Sequence, residues 1–390
     1  MPQNKKNISN YLTAMILIMG SFSVMGGGLI APALPSIGAA FGAPSHRWGL
    51  ILSVYTFSAA LSLPFTGYFI DLAGRRKVAL TCLLIDGTAG LAVIIAPSFR
   101  IMLILRFIQG IGIAGLMPSA MTIIGDLFEG EKKLGVIAYL SATISLAAII
   151  IPALGGLLAS IDWRLVFAVY SLSFFLAGFF FFTLPETMTS TEEQKKENRS
   201  PLKYISALYS ALKIKSIRQV IMHSMIIYFL LYALITFLPI YLIVERGFDE
   251  IFTGIALSLQ GIFGALLASR AKILAKKLHW KKIAALGFAL IALSFALLPL
   301  WPGGNYLVSI SFIIYGAGMG IVSPAIYNRI TELPPKELAG SVIAIFNTMK
   351  YVGMTLSPFI LGYIFIFTEL NFIFLGLALA TALWAFHLIA

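Results

Sequence analysis

Few residues in this chain carry chemistry that could hold or move a proton, or a charged solute, inside an apolar environment. Asp86 is the one carboxylate near the middle of a long apolar run, and its helical neighbours Cys82, Ala89 and Gly90 are small, so its carboxyl points into a helix contact. An acid in that setting is either a proton-binding site or a neutral, hydrogen-bonded structural group. Arg106 and Gln109 stand three residues apart and share a helix face. Arg106 reads either as a buried functional cation or as an arginine whose stem snorkels to the membrane surface. Lys350 lies about midway along another apolar run, where a charge costs about 2.5–3.5 kcal/mol on insertion scales. Asn347, Lys350, Met354 and Ser357 fall on one helical face, which forms a polar stripe toward a cavity unless the lysine is simply paired inside a bundle.

A further cluster combines opposite charges with a turn. Gly67, Asp71, Gly74, Arg75, Arg76 and Lys77 follow one another within eleven residues. A carboxylate at a helix end beside a glycine turn and a basic cluster makes charge-assisted contacts that form in one conformation and break in another. The plainer alternative is that the three cations only set membrane topology. The four histidines (His46, His223, His279, His387) fall on different segments, and there is no Walker phosphate loop, zinc-type His pair or nucleophile elbow. No cofactor or metal is expected, and neither ATP-driven pumping nor enzymatic hydrolysis is supported. Gly110-x-Gly112-x-x-Gly115 matches the dinucleotide pattern in letters only. No strand precedes it, and small residues at that spacing serve close helix packing in membranes.

The elements that must position these residues are transmembrane helices. Of 390 residues, 59% are hydrophobic and 11% charged, with a mean hydropathy of +0.94, more apolar than a soluble domain can bury. Apolar runs of about 20 residues or more recur along the chain, long enough at ~1.5 Å per residue to cross a ~30 Å hydrocarbon layer. Helices satisfy their own backbone there. Twelve are predicted near 11–36, 47–70, 77–97, 101–124, 133–160, 164–184, 219–243, 251–274, 283–301, 306–329, 339–367 and 371–389. The formal charge of +12 raises the question of a nucleic-acid partner, but the Lys and Arg distribution answers it. With the N-terminus inside, 22 of the 28 basic residues fall on the cytoplasmic side, which puts both termini in the cytoplasm and leaves no case for nucleic acid. Cys82 is a lone cysteine and forms no intramolecular disulfide.

The long polar segment 185–218 separates six helices (1–184) from six (219–390). The halves repeat at an offset of 205 to 207 residues: Gly49 and Ser53 with Gly254 and Ser258, Gly110, Gly112 and Pro118 with Gly316, Gly318 and Pro324, and Pro152 and Gly156 with Pro358 and Gly362. An even number of helices per half gives both halves one orientation and leaves a central cavity between them.

On these residues the chain resembles the major facilitator superfamily. Gly67-Tyr-Phe-Ile-Asp71-Leu-Ala-Gly74-Arg75-Arg76-Lys77 is similar to that family's G-x-x-x-D-x-x-G-R-R-K signature. The resemblance implies a cytoplasmic gate in which Asp71 faces the start of helix 11 near Ala339-Gly340-Ser341 and the arginines face Asp126 at the end of helix 4. Arg106-Phe-Ile-Gln109-Gly110-Ile-Gly112 is similar to the R-x-x-Q-G-x-G stretch that the family associates with proton coupling. Pro152-Ala-Leu-Gly155-Gly156 with Asp162-Trp163-Arg164 resembles the drug:proton antiporters, although Ile151 stands where those have glycine. Phe346-Asn347-Thr348-Met349-Lys350 is similar to a stretch of prokaryotic efflux members.

The implied function is alternating-access, proton-coupled efflux of a neutral or anionic amphipathic molecule by a monomer in a prokaryotic cytoplasmic membrane. Its partners are the small-molecule substrate, protons and the lipid bilayer. The middle of helix 1, Ser23-Val24-Met25-Gly26-Gly27-Gly28, offers no acid to attract a lipophilic cation. A metabolite:proton symporter and a transporter-like sensor share the fold and stand as alternatives.

Overall fold

The computed structural model describes residues 10–187, 212–300, 305–334 and 338–389, with the backbone alone at 305–307 and 339–341. Lys5, Lys6, Lys336, the side chains of Ala339-Gly340-Ser341 and residues 188–211 of the polar segment lie outside the described residues. Eleven described helices are long and apolar enough to cross a membrane: α1 (Asn10–Ala40), α2 (Ser45–Ala73), α3 (Arg75–Ile95), α4 (Phe99–Leu127), α5 (Gly130–Ile161), α6 (Trp163–Thr183), α7 (Lys215–Glu245), α8 (Glu250–Ser269), α9 (Trp280–Leu300), α10 (counted from Val308 to Glu332) and α12 (Leu370–Ile389). The helix α11 (Ala339–Ile364) lies between the last two and brings the long helices to twelve. The all-helical membrane architecture is as expected.

Starts and stops follow local chemistry. Ser98 Oγ accepts from the Ile101 N–H at the start of α4, Asp162 from Arg164 at the start of α6, and Asp249 from Phe252 at the start of α8. Each satisfies a backbone donor that a helix start leaves unpaired. The helix α1 is interrupted by 3-10 turns at Phe22–Val24 and Ala31–Ala33, around a glycine triplet and Pro32. Boundaries depart from expectation where packing extends a helix. The helix α7 starts at Lys215, four residues early, because Ile217, Val220 and Ile221 are already buried. The helix α3 starts at Arg75, two residues before the expected start at 77, and so takes in Arg75 and Arg76.

The sequence repeat reappears as a repeat of contacts. A β-carbon added to Gly49 on α2 would lie 2.9 Å from Pro358 Cβ on α11, and one added to Gly254 on α8 would lie 2.5 Å from the Pro152 carbonyl on α5. The same holds for Gly362, where the distance to the His46 carbonyl would be 2.7 Å, and for Gly156, whose β-carbon would run into the Glu250 carbonyl. Within each half, Gly112 brings α4 against the Cys82 carbonyl of α3, and Gly318 brings α10 against the Gly287 carbonyl of α9. Without a hydrophobic drive between helices in lipid, close backbone approach through small residues supplies the packing.

Call the end of the bundle that carries the Gly74 turn and the short helix Ala271–Lys277 the basic face. The close approaches between halves lie in the half of the bundle away from it. There Ser53 Oγ donates to the Thr355 carbonyl at 2.9 Å, Thr355 Oγ1 to Thr56 Oγ1 at 2.9 Å, and Ser36 Oγ to Glu250 Oε1 at 2.5 Å. Toward the basic face, α2 exposes Phe65 and Phe69, α5 Leu134 and Tyr139, and α8 Leu266. Among the described residues the two halves are thus fastened from the opposite face down to about mid-depth, where a β-carbon on Gly261 of α8 would lie 2.9 Å from the Ala148 carbonyl of α5.

Such a fastening must open if the halves rock. In the variant Thr56→Cys/Thr355→Cys, mild oxidation is expected to join α2 to α11 and abolish solute movement in proteoliposomes, with reductant restoring it. Cys82 is buried and does not compete. Full activity of the cross-linked protein would show that this seam stays closed throughout the cycle.

Candidate functional site

Arg106, Gln109 and Asp86 are all buried with no exposed surface and form one hydrogen-bonded chain. The Arg106 guanidinium donates to the Gly26 carbonyl of α1 at 3.1 Å, to the Ile51 carbonyl of α2 at 3.2 Å and to Gln109 Oε1 at 2.6 Å. It also lies over the Tyr55 ring, 4.2 Å from the centroid. Gln109 Nε2 donates to Asp86 Oδ1 at 3.1 Å, and Ser173 Oγ on α6 donates to Asp86 Oδ2 at 2.7 Å. The glutamine amide has one sensible orientation here, acceptor toward the cation and donor toward the carboxylate, so it relays between charges that do not touch. Burial excludes a guanidinium reaching the membrane surface. The chemistry on offer is a carboxylate whose proton occupancy is felt, through one amide, by a cation gripping α1 and α2.

Close packing makes this chain possible. A β-carbon on Gly112 would lie 2.7 Å from the Asp86 backbone nitrogen, and one on Gly90 would lie 2.8 Å from Gln109 Nε2. Ser173, which completes the carboxylate's shell, and Tyr55, which faces the guanidinium, were not among the sequence candidates. Serines and tyrosines are common in these helices, and no spacing rule marks these two.

At the basic face, Arg75 Nε donates to Asp126 Oδ2 at 3.0 Å, and its Nη2 is 3.9 Å from Asp71 Oδ1. The expected contact of the arginines with Asp126 therefore holds for Arg75 alone. Arg76 instead donates to the Phe181 carbonyl and lies over the Phe181 ring, because α3 begins one residue earlier and turns this side chain toward α6. Asp71 pairs within its own turn, and the side chains at the start of α11 that it was expected to face lie outside the described residues.

The sequence reading passed over Glu186. Its Oε1 accepts from the Arg75 N–H at 2.9 Å and its Oε2 from the Arg76 N–H at 3.3 Å, while Thr187 Oγ1 donates to Asp126 Oδ2 at 2.6 Å. Cations at the start of α3 oppose its dipole, as does a carboxylate at the end of α4. Glu186 offsets the first, and the Arg75–Asp126 pair removes both. An acid directly after helix 6, on the side where the basic turns gather, was the available signal. Gly74 adopts φ +98°, which L side chains rarely adopt, so glycine is favoured there, and a β-carbon would also displace the Glu186 carboxylate. Gly67 has open space where a β-carbon would go, so this conformation gives it no steric role.

Lys350 and Asn347 are half-buried on α11 and belong to a separate cluster. Lys350 Nζ lies 4.6 Å from the centre of the Tyr228 ring on α7. One turn on, the Tyr232 hydroxyl would lie 2.8 Å from a β-carbon on Gly27, while Tyr55 packs against Gly26. The glycines of α1 thus separate the Arg106 chain from the Lys350 cluster. Gly155 and Gly156, in the turn after Pro152, press α5 against the Leu29 carbonyl of α1 and the Glu250 carbonyl of α8, leaving no room for a β-carbon at either position.

Two measurements check these contacts of the charge cluster. Double-mutant cycles of Arg75→Gln with Asp126→Asn, followed by thermal unfolding in detergent, are expected to show a coupling of about 1–2 kcal/mol. Glu186→Gln is expected to cost about 1 kcal/mol, as lost helix caps do. Coupling near zero would reduce the pair to a solvated contact.

Among the described residues the geometry is a bundle of twelve long helices with close contacts at one face, a glycine-turn charge cluster at the other and buried charges between. The family model for the Major Facilitator Superfamily matches residues 16–358. A bacillibactin exporter of Bacillus subtilis (strain 168) is 27% identical over 362 residues, covering 89% of this chain and 87% of that protein. The quinolone resistance protein NorA of Staphylococcus aureus (strain COL) is 23% identical over 369 residues, covering 93% and 90%. Among solved structures, a mutant form of the nucleoside transporter NupG superposes with a TM-score of 0.79 at 14% identity, over 97% of this chain and all of that one. A bacterial homologue of the human lysosomal transporter Spinster gives 0.74 at 18% identity, over 90% and 81%. The chain belongs to the Major Facilitator Superfamily and is a multi-pass membrane transporter, not an enzyme.

Proposed function

We propose that this transporter exports a neutral or anionic amphipathic small molecule across a bacterial cytoplasmic membrane in exchange for protons. In this reading both termini are cytoplasmic, and residues 1–184 and 219–390 rock as two units joined by the segment 185–218. The protein acts as a monomer. The observation that carries the reading is the buried chain Ser173–Asp86–Gln109–Arg106, which ends on backbone carbonyls of α1 and α2. These two helices also make contacts to the second half, through Gly27 against Tyr232 and Ser53 against Thr355.

A proton on Asp86 removes the charge that balances Arg106, and the guanidinium then bears more strongly on the Gly26 and Ile51 carbonyls. Proton binding thereby shifts the helices that seam the halves together, which is what coupling to alternating access requires. The Arg75–Asp126 pair, with Asp71, Gly74 and Glu186 around it, is the gate that forms and breaks at the cytoplasmic face. Lys350, held over Tyr228 beside Asn347, gives the substrate path a cation and an aromatic wall. That chemistry favours neutral or anionic amphiphiles over permanent cations. The bacillibactin exporter among the relatives supports outward flux.

Proteoliposomes with an imposed pH gradient test both halves of the proposal. Asp86→Asn is expected to abolish pH-driven substrate movement while leaving substrate exchange at zero gradient within about threefold of wild type. Intact pH-driven transport in that variant would remove Asp86 from the coupling path. Lys350→Ala is expected to weaken an anionic amphiphile by about tenfold, the loss of a desolvated charge contact of ~1.4 kcal/mol. Undiminished transport of a permanent cation by Lys350→Ala, with no anion effect, would overturn the substrate class. Substrate-driven proton movement in the same direction as the substrate would convert the antiporter into a symporter.

A further inference from the structure

On the outer, membrane-facing surface of the second half, α9 and α12 pack along most of their length yet leave a groove of about 750 Å³ between them. Its floor is alanine, with Ala285, Ala289 and Ala292 from α9 and Ala382 from α12, between walls that include Leu293 and Phe386. From Lys282 to Ala296 the groove follows α9 for about 21 Å at ~1.5 Å per residue, deeper than the ~15 Å of one hydrocarbon leaflet. At its basic-face end the wall is Lys282 itself, exposed and next to the equally exposed Lys281.

The charge around that end is mainly positive, the exception being Glu332, which pairs at 3.6 Å with Arg329 where Arg329 lies over the Trp280 ring. Between Glu250 and Glu332 the sequence has no acidic residue, while Arg270, Lys272, Lys276, Lys277, Lys281, Lys282 and Arg329 all fall in that stretch. The helix α12 has no acidic residue either. Among the described residues, neither Lys281 nor Lys282 is in an ion pair. A hydrocarbon-lined groove that opens to lipid and ends on unpaired ammonium groups at headgroup level is complementary to one kind of molecule. We infer that it holds an acyl chain of an anionic glycerophospholipid, with the headgroup phosphate against Lys282 and Lys281. The occupant is a bound lipid on the outer wall, separate from the solute path between the halves. Lysines near a membrane surface each contribute enough attraction to an anionic lipid to make this preference measurable.

Native mass spectrometry of the purified protein, with dioleoylphosphatidylglycerol or dioleoylphosphatidylcholine added, is the test. Wild type is expected to retain one phosphatidylglycerol in preference to phosphatidylcholine. Lys281→Gln and Lys282→Gln are each expected to reduce that preference about fivefold. Ala289→Trp, which fills the groove and leaves both lysines, is expected to lower retention of both lipids. Arg76→Gln/Lys77→Gln, a basic pair on the other half, is expected to leave the preference unchanged. Equal retention of the two lipids by wild type would overturn the inference. So would a preference that survives the lysine and groove variants, or one lost with Arg76 and Lys77. A dimer mass that disappears in Ala289→Trp would instead assign the groove to a second copy of the chain.

Discussion

A guanidinium with no route to water has to find its hydrogen-bond acceptors inside the protein, and the first half of this transporter is arranged around that need. Arg106 reaches carbonyls on α1 and α2 and an amide on its own helix. An unpaired charge here would cost several kcal/mol, so α1, α2, α3 and α4 are held in one relative placement by a single side chain and its relay to Asp86. The irregularity of α1 at its glycine triplet is part of the same arrangement, since broken helix backbone is tolerated at this depth only where protein covers it.

The repeat shows how the halves have diverged in chemistry while keeping their packing. The inter-half glycine and proline contacts of α2 with α11 match those of α5 with α8. At the same offset of 206 residues, however, Asp86, Arg106 and Gln109 correspond to Ala292, Phe312 and Tyr315. The last two are buried, and Tyr315 packs edge-on against Phe295. Where the first half holds a charge relay, the second holds an aromatic core. Lys350 in turn corresponds to Ile144. Each half therefore carries a polar cluster of its own, and α1 stands between them.

The charge cluster at the Gly74 turn follows another logic. Arg75 starts a helix and Asp126 ends one, so each has the wrong sign for its own helix dipole. Such a pair is favourable together and unfavourable apart, which suits a contact that has two states. Glu186 adds a third term by accepting the first N–H groups of α3, so the segment leaving the sixth helix is tied to this cluster.

The amino-acid sequence by itself determined the twelve helices, because apolar runs of membrane length have few other structures open to them. It also determined the two-fold repeat and the turn at Gly74, since these depend on residue type and spacing along one chain. Asp86, Arg106 and Gln109 were each legible as candidates, but their union in one chain with Ser173 was not. Hydrogen bonds between helices depend on rotation and depth to within an ångström or two, which periodicity does not specify. For the same reason the division of Arg75 and Arg76 between Asp126 and Phe181, the part played by Glu186, and the seam that joins the halves at one face emerged only when the helices were packed. These are contacts between residues far apart in sequence, and only tertiary structure brings them within reach.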